Sequence, residues 1–439
     1  MQFKQYPRYK NSGVEWLGDV PEHWNLKRFG YLFDENKKKN IGLKETNVLS
    51  LSYGNIKEKN IDDNKGLLPE SFETYQIIEP NNIVFRFTDL QNDKRSLRSA
   101  ISKYHGIITS AYIAVKTKQN ADFYNYLFRA YDLQKVFYSM GEGMRQSLKM
   151  DELNKMPVVL PNKDEQKRIV SFLDTETARI DNLIAKQEKL IELLEEQRKS
   201  IISHAVTKGL NPNVPMKDSG VEWLGQVPEH WTVLKNRHIF NFSKGLSITK
   251  ENLQESGIPC VSYGEVHSKF GFEFNPEIND MKFVSEEYLK TSKNCLLNSG
   301  DFIFADTSED FEGSGNFSYL NSNSQVFAGY HTVIARLKSK QKPRFFAYIF
   351  DSNAHRKQIQ TQVKGIKVFS ITQGILKDIY SWLPPVHEQD LIVRYLDNEC
   401  KKISLLKAKQ IELIEKLKEY RSSIISHAVT GKIDIREFC

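Results

Sequence analysis

The chain has 439 residues, 40% hydrophobic and 27% charged, with a net charge of +7, which is ordinary for a globular protein and long enough for two or three domains. No stretch approaches the roughly 18 apolar residues of a membrane helix, and Met1 to Gly13 lacks the apolar core of a signal peptide. Cys260, Cys295, Cys400 and Cys439 include no close pair, which argues against a disulfide framework or a zinc cluster and fits a cytoplasmic protein.

In chain order, the first feature is a box, Ser12-Gly-Val-Glu-Trp-Leu-Gly-Asp-Val-Pro-Glu-His-Trp24, which recurs as Ser219 to Trp231 at 12 of 13 positions. Up to residue 160 the pattern is mixed: Ile83–Phe87 and Ala111–Val115 read as short strands, and Asp122–Met140 reads as a helix. Asn162, with Glu165 three residues on, marks the start of a long helix over 161–210, and Gly209 marks its stop. Within it Leu173, Ile180, Leu183, Gln187, Leu190, Leu194 and Ile201 hold a heptad seam. Residues 211–383 repeat the plan, with strands at Phe302–Ala305 and Thr332–Arg336 and a helix at Arg344–Val363. A second rod over 384–439 carries Leu396, Ile403, Leu406, Gln410, Leu413, Leu417 and Ile424 in the same seam, with Gly431 beyond it. Glu165–Thr207 and Glu388–Thr430 share 26 of 43 residues. Two matching amphipathic rods on one chain can bury each other's stripes, and the two seam glutamines would either fix register at some expense of stability or reach solvent as tolerated polar residues.

The fold expected is therefore a mixed α/β (α+β) domain in two copies, joined by two long helices that form a coiled coil. Between the matched blocks the copies have drifted apart. Only traces persist: Leu51-Ser-Tyr-Gly against Val261-Ser-Tyr-Gly, and Phe123-Tyr-Asn-Tyr-Leu-Phe against Phe345-Phe-Ala-Tyr-Ile-Phe. Shared blocks that form a frame, with divergent blocks that each recognise something different, would produce this pattern. The basic excess lies in the divergent blocks, +5 over residues 25–160 and +3 over 233–383, as expected where two surfaces meet a polyanion. Arg86, Lys94, Arg95, Arg98, Arg145 and Lys149 are the candidate DNA contacts of the first block, and Lys364 and Lys367 those of the second, where Lys367 aligns with Arg145. Arginine can grip guanine bidentately, and lysine mostly finds phosphate.

Chemistry is not legible. There is no GxxxxGK[ST] loop, no GxGxxG, no HExxH and no Asn/Asp-Pro-Pro-Tyr/Phe tetrapeptide, which removes the usual NTPase, Rossmann, zincin and adenine-methyltransferase signatures. His23, His204, His230 and His427 belong to the repeated frame, and the box tryptophans, Trp16, Trp24, Trp223 and Trp231, suit packing better than base stacking because a sequence reader should vary between copies. A protein-binding coiled-coil scaffold and an orphan or fused DNA methyltransferase are the competing classes.

The box, the Leu-Pro-x-x-x-Glu-Gln-x-x-Ile-Val-x-x-Leu-Asp start of each rod (Leu160–Asp174, Leu383–Asp397) and its Ser-Ile-Ile-Ser-His-Ala-Val-Thr end closely resemble the specificity subunits of type I restriction-modification systems. That resemblance spans the chain. It implies two target-recognition domains, each reading half of a bipartite, asymmetric target in double-stranded DNA, and antiparallel rods that set the spacer. It also implies two docked modification subunits carrying S-adenosylmethionine, and restriction subunits using ATP and Mg, with no cofactor, metal site or catalytic residue in this chain.

Overall fold

The computed structural model describes residues 3–60, 71–88, 97–140, 147–365 and 367–438; Lys94, Arg95 and Arg145 lie outside them. The chain divides into two compact units, residues 1–188 with 411–439 and residues 189–410. Both long helices form as the heptads predict, over Lys163–Lys208 and Val386–Val429. Asn162 Oδ1 accepts from the Glu165 N–H (2.9 Å) and caps the first helix. At the end of the second, Gly431 is left-handed (φ +73°), and a Cβ there would collide with Pro21. Only glycine satisfies both conditions.

In the first unit a four-stranded antiparallel sheet runs in the order Phe33–Glu35, Ile113–Thr117, Ile83–Phe85, Ser99–Ile101. The second unit repeats this centre with Phe240–Lys244, Thr332–Leu337 and Phe302–Ala305, then adds Phe317–Leu320 and a short parallel strand, Glu273–Phe274. Register matches across the copies: Ile113 faces Phe85 as Val333 faces Phe304. The expected helix over 122–140 is two helices, Ala121–Leu133 and Val136–Met140, separated at Lys135, whose φ of +62° no α-helix can continue. The expected helix over 344–363 is likewise Pro343–Asp351 and Asn353–Gln360, because Ser352 is extended and its Oγ caps the second by accepting from the His355 N–H at 3.4 Å.

Each domain is fastened to the rods by the same bond. Tyr126 donates to Asp174 (2.7 Å) and Tyr348 donates to Asp397 (2.6 Å). These tyrosines are the fourth residues of the two aromatic traces, and the aspartates belong to the repeated rod start. The rods pair antiparallel inside each unit: Arg421 Nε donates to Asp181 Oδ1 (2.8 Å) in the first, and Lys407 Nζ to Glu195 Oε2 (2.5 Å) in the second. Going from one pair to the other moves two heptads forward on one helix and two back on its partner, so the register is common to both.

The seam is shifted by one residue where the heptads were least certain in identity. Leu173, Ile180, Leu194, Leu396, Ile403 and Ile424 are buried, and Leu183, Gln187, Ile201, Gln410 and Leu417 are half-buried, as expected. Leu190, Leu406 and Leu413 are instead 39%, 45% and 40% exposed, and their neighbours Ile191, Lys407 and Ile414 turn inward. Adjacent apolar residues at 190–191 and 413–414 fit a heptad equally well on paper; the side on which each copy's partner stripe lies decides between them. Replacing fully buried Ile180 with Ala should therefore cost about 3 kcal/mol, while Leu190→Ala and Leu413→Ala should each stay within roughly 0.5–1 kcal/mol. Chemical denaturation of the three variants checks this; equal losses would contradict the assigned seam.

Candidate nucleic-acid interface

The box belongs to the frame. Trp24 and Trp231 are fully buried, Trp16 stands edge-on to Tyr131 at 6.2 Å, and only Trp223 is substantially exposed, at 43%. After each box a strand pairs antiparallel with the strand that leads into a rod: Asn25–Arg28 with Pro157–Leu160, and Thr232–Lys235 with Tyr380–Leu383. The Glu-Gln dipeptide at each rod start then locks the joint. Buried Glu165 accepts from Tyr6 OH (2.7 Å) and meets His23 Nε2 at 3.1 Å, while Glu388 meets His230 Nε2 at 2.8 Å and accepts from Trp231 Nε1 at 3.2 Å. Burial and the Glu165 carboxylate push the Tyr6 phenol up, so it stays a donor. Gln166 and Gln389 each donate to a proline carbonyl (Pro161, Pro384; both 2.9 Å) and accept a backbone N–H from the α/β domain (Asn120, Lys342; both 3.1 Å). The repeated residues are used up in holding the frame.

The divergent residues gather elsewhere. In the first unit Arg86 follows the central strand, is half-buried, and donates its N–H to Arg98 O at 2.8 Å. Arg98 itself is a correction to the expected contacts. Its side chain is fully buried, with Nη1 donating to Thr88 O (3.1 Å), the guanidinium 5.7 Å over the Tyr138 ring, and its N–H donating to Asp132 Oδ2 at 2.7 Å. It ties residue 98 to Thr88, and its guanidinium is out of contact with solvent. Lys149 is exposed at the start of the short helix Met150–Leu153.

In the second unit Thr307 and Ser308, just past the central strand, pair with Ser370 and Phe369. That pairing brings the exposed Lys364 and Lys367 beside the strand-end loop. A relay of three side chains fixes the loop from behind. His267 Nε2 donates to Thr307 O (2.8 Å), His267 Nδ1 accepts from Asn316 Nδ2 (2.8 Å), and Asn316 Oδ1 accepts from Arg356 Nη1 (2.9 Å). A carbonyl partner at Nε2 requires the proton there, which leaves Nδ1 to accept from the Asn316 amide. Burial pulls the Arg356 guanidinium below its ordinary pKa, and Asp351, 3.7 Å away, opposes that. In front of the loop lies a cleft of roughly 540 Å³ bounded by Tyr263, His267, Asp310, His331 and Val368. Neither His267 nor Asn316 nor Arg356 was singled out from sequence; they meet only through a fold that no local pattern encodes.

Two equivalently framed α/β units, each presenting a divergent strand-end edge, define a recognition protein with two separately written surfaces. Comparison with known proteins agrees. Residues 100–193 and 228–416 match the family described as type I restriction modification DNA specificity domain, and the chain belongs to that family. It is 25% identical to the type I restriction enzyme MjaVIII specificity subunit of Methanocaldococcus jannaschii, over 99% of this chain and 98% of that protein. The EcoKI specificity subunit of Escherichia coli is 22% identical over 48% of this chain and 44% of its own. Among solved structures, the fold is similar to a chain from a type I R-M system (TM-score 0.70, 15% identity, covering 94% of this chain and 99% of that one). It is also similar to the HsdS subunit from Thermoanaerobacter tengcongensis (TM-score 0.55, 15% identity, covering 94% of this chain and 98% of that one).

One buried group under this edge makes the second unit sensitive to acid. His355 is fully buried against Phe350 (ring centroids 4.6 Å), and neither of its ring nitrogens has a hydrogen-bond partner. Burial, assisted by the Arg356 charge, pushes its pKa down to about 3. The folded state therefore excludes a proton that the unfolded state takes up below pH ~6.5, so stability is lost as pH falls through that value towards the folded pKa. Lowering the pH from about 7.5 to about 5 should cost roughly 2 kcal/mol through this residue, and His355→Leu should remove that part of the dependence. Urea midpoints of both proteins across the pH range measure it; parallel curves would show that His355 is not the group.

Proposed function

We propose that the chain is the non-catalytic DNA-reading subunit of a type I restriction-modification complex, with each unit reading one half of a split, asymmetric target. Family membership supports the role, and the equivalently framed but divergent strand-end edges support the division of labour. The observation that carries the reading is the Thr307–Ser370 pairing, which sets Lys364 and Lys367 beside the loop that follows the central strand. Arg86 follows the same strand in the other unit. Cationic side chains here would neutralise phosphates and register the protein on the duplex, leaving base edges to the neighbouring loops.

Catalysis belongs to partner subunits in this reading. Two modification subunits would bring S-adenosylmethionine and methylate adenine, and restriction subunits would bring ATP and Mg. The long antiparallel helices would dock the modification subunits and fix the length of the unread spacer. The MjaVIII and EcoKI proteins carry the name specificity subunit, which fits this assignment.

Replacing residues 233–383 with the second domain of another family member should change one half of the methylated target and leave the other half intact. Sequencing of methylated adenines in a host carrying the chimera reads this directly, and movement of both halves would contradict modular reading. Lys364→Ala and Lys367→Ala should weaken binding to all sequences alike and each lower the salt slope by about 1.

A further inference from the structure

The Ser-Tyr-Gly trace is the one piece of divergent sequence, apart from the aromatic helix, that both copies retain, and the frame does not account for it. In the first unit Tyr53 stands at the tip of the hairpin Leu49–Ser52/Asn55–Glu58, 76% exposed. Packing cannot be why a tyrosine is there. Its backbone is left-handed (φ +46°), an unusual state for a bulky residue, and Gly54 follows at +73°. The turn is held by a half-buried cation: Arg129 Nη2 donates to Gly54 O (2.7 Å) and to Ser99 O (3.2 Å). A Cβ on Gly54 would collide with that guanidinium. Because Ser99 pairs with Phe85, the bridge pins the tyrosine turn to the strand end that carries Arg86.

In the second unit the motif opens a short helix, Tyr263–Ser268, rather than a hairpin. The outcome is nevertheless the same. Tyr263 is half-buried, with its ring 5.7 Å from Tyr330 and 5.3 Å from His331, and His331 is again left-handed (φ +54°). His267, one helical turn on, bonds Thr307 of the strand-end loop, and the ring lines the cleft beside Val368. Neither Tyr53 nor Tyr263 offers its hydroxyl to a partner among the described residues, and Gly264 has open space around it. In both units, then, unlike local structures deliver a tyrosine to the same strand-end edge, with strained backbone nearby and a preformed scaffold behind.

We propose that Tyr53 and Tyr263 each contact base pairs of their own unit's half-site: the side chain is common to both copies, and the unlike hairpin and helix that carry it set which base pair each one meets. The ring would pack on a thymine methyl or a sugar, and the free hydroxyl would bond a base edge. This rests on the DNA-reading assignment above.

The test uses the full chain together with its modification subunits, on a target first mapped through the methylated adenines. Tyr263→Ala should lose affinity for the target on the order of tenfold and flatten preference at positions in one half-site. Tyr53→Ala should do the same in the other half-site. Thermal midpoint and affinity for random DNA should not move. Independently of any variant, 5-iodouracil placed along each half-site of the wild-type complex should photocrosslink to Tyr263 in one half and Tyr53 in the other. Unchanged base preference in both variants, or crosslinks confined to other residues, would overturn the proposal. A wild-type complex that shows no sequence preference at all would instead overturn the assignment on which it rests.

Discussion

A helix of 46 residues with one apolar stripe cannot bury that stripe by itself, and everything else in the chain follows from how it finds a partner. The partner is the second long helix, taken antiparallel. The start of one helix therefore lies against the end of the other, and each unit's core is completed from both. Ile169, Leu173 and Ile180 share a core with Ile424, Ile425, Ala428 and Val429; Ile202, Ala205 and Val206 share another with Ile392 and Leu396. The first unit even takes in Ile433 and Ile435, and the Asp434 N–H donates to Lys4 O at 2.8 Å. Neither half of the sequence contains a whole core, which couples the folding of the two copies although their recognition surfaces share almost nothing.

That coupling explains which residues the copies retain. Several identities outside the seam have a job at a joint: Glu-Gln at the rod start clamps the box and the α/β domain, the aspartate eight residues beyond the Gln takes the tyrosine of the aromatic helix, and the second box tryptophan, Trp24 or Trp231, is fully buried. A joint of this kind tolerates little change, because a buried carboxylate that loses its donor retains the full desolvation cost. The strand-end loops carry no such obligation. They can be rewritten so long as both ends meet the sheet, and the five-stranded sheet of the second unit against the four-stranded one of the first shows how much rewriting the frame accepts.

Sequence reading was reliable where signal is periodic or repeated. The duplication, both rods, their glycine stops and the burial of Trp24 and Trp231 were all legible. It failed by one residue at Leu190 and Leu413, where neighbouring apolar residues make two seams equally good and only the partner helix chooses, and at Leu406, where Lys407 turns inward to meet Glu195. It also read Arg98 as a surface cation. An arginine in a basic run has the composition of a DNA contact; that it turns inward to hold Thr88 O depends on Asp132 and Tyr138, which lie 34 and 40 residues further on. The break at Lys135 leaves no trace in helix periodicity, since the aromatic pattern continues through it at Phe137 and Tyr138.

Arg98 is one of a set. Arg129 beneath the Tyr53 turn and Arg356 beneath the Thr307 loop are half-buried, and burial lowers the pKa of both. Taking a guanidinium out of water is costly, and each of these recovers part of that by holding backbone carbonyls or a side-chain amide of the divergent edge. Arginine suits the position better than lysine, because its rigid fork reaches two acceptors at fixed angles and stays charged even when desolvated. An edge anchored in this way loses little conformational entropy when a ligand arrives, and that loss would otherwise fall on binding. Variable loops on a rigid frame are commonly assumed to adapt to their target. The inward-turned arginines argue for the opposite here: the Tyr53 turn and the Thr307 loop differ in sequence, yet each is set in place before any target is met.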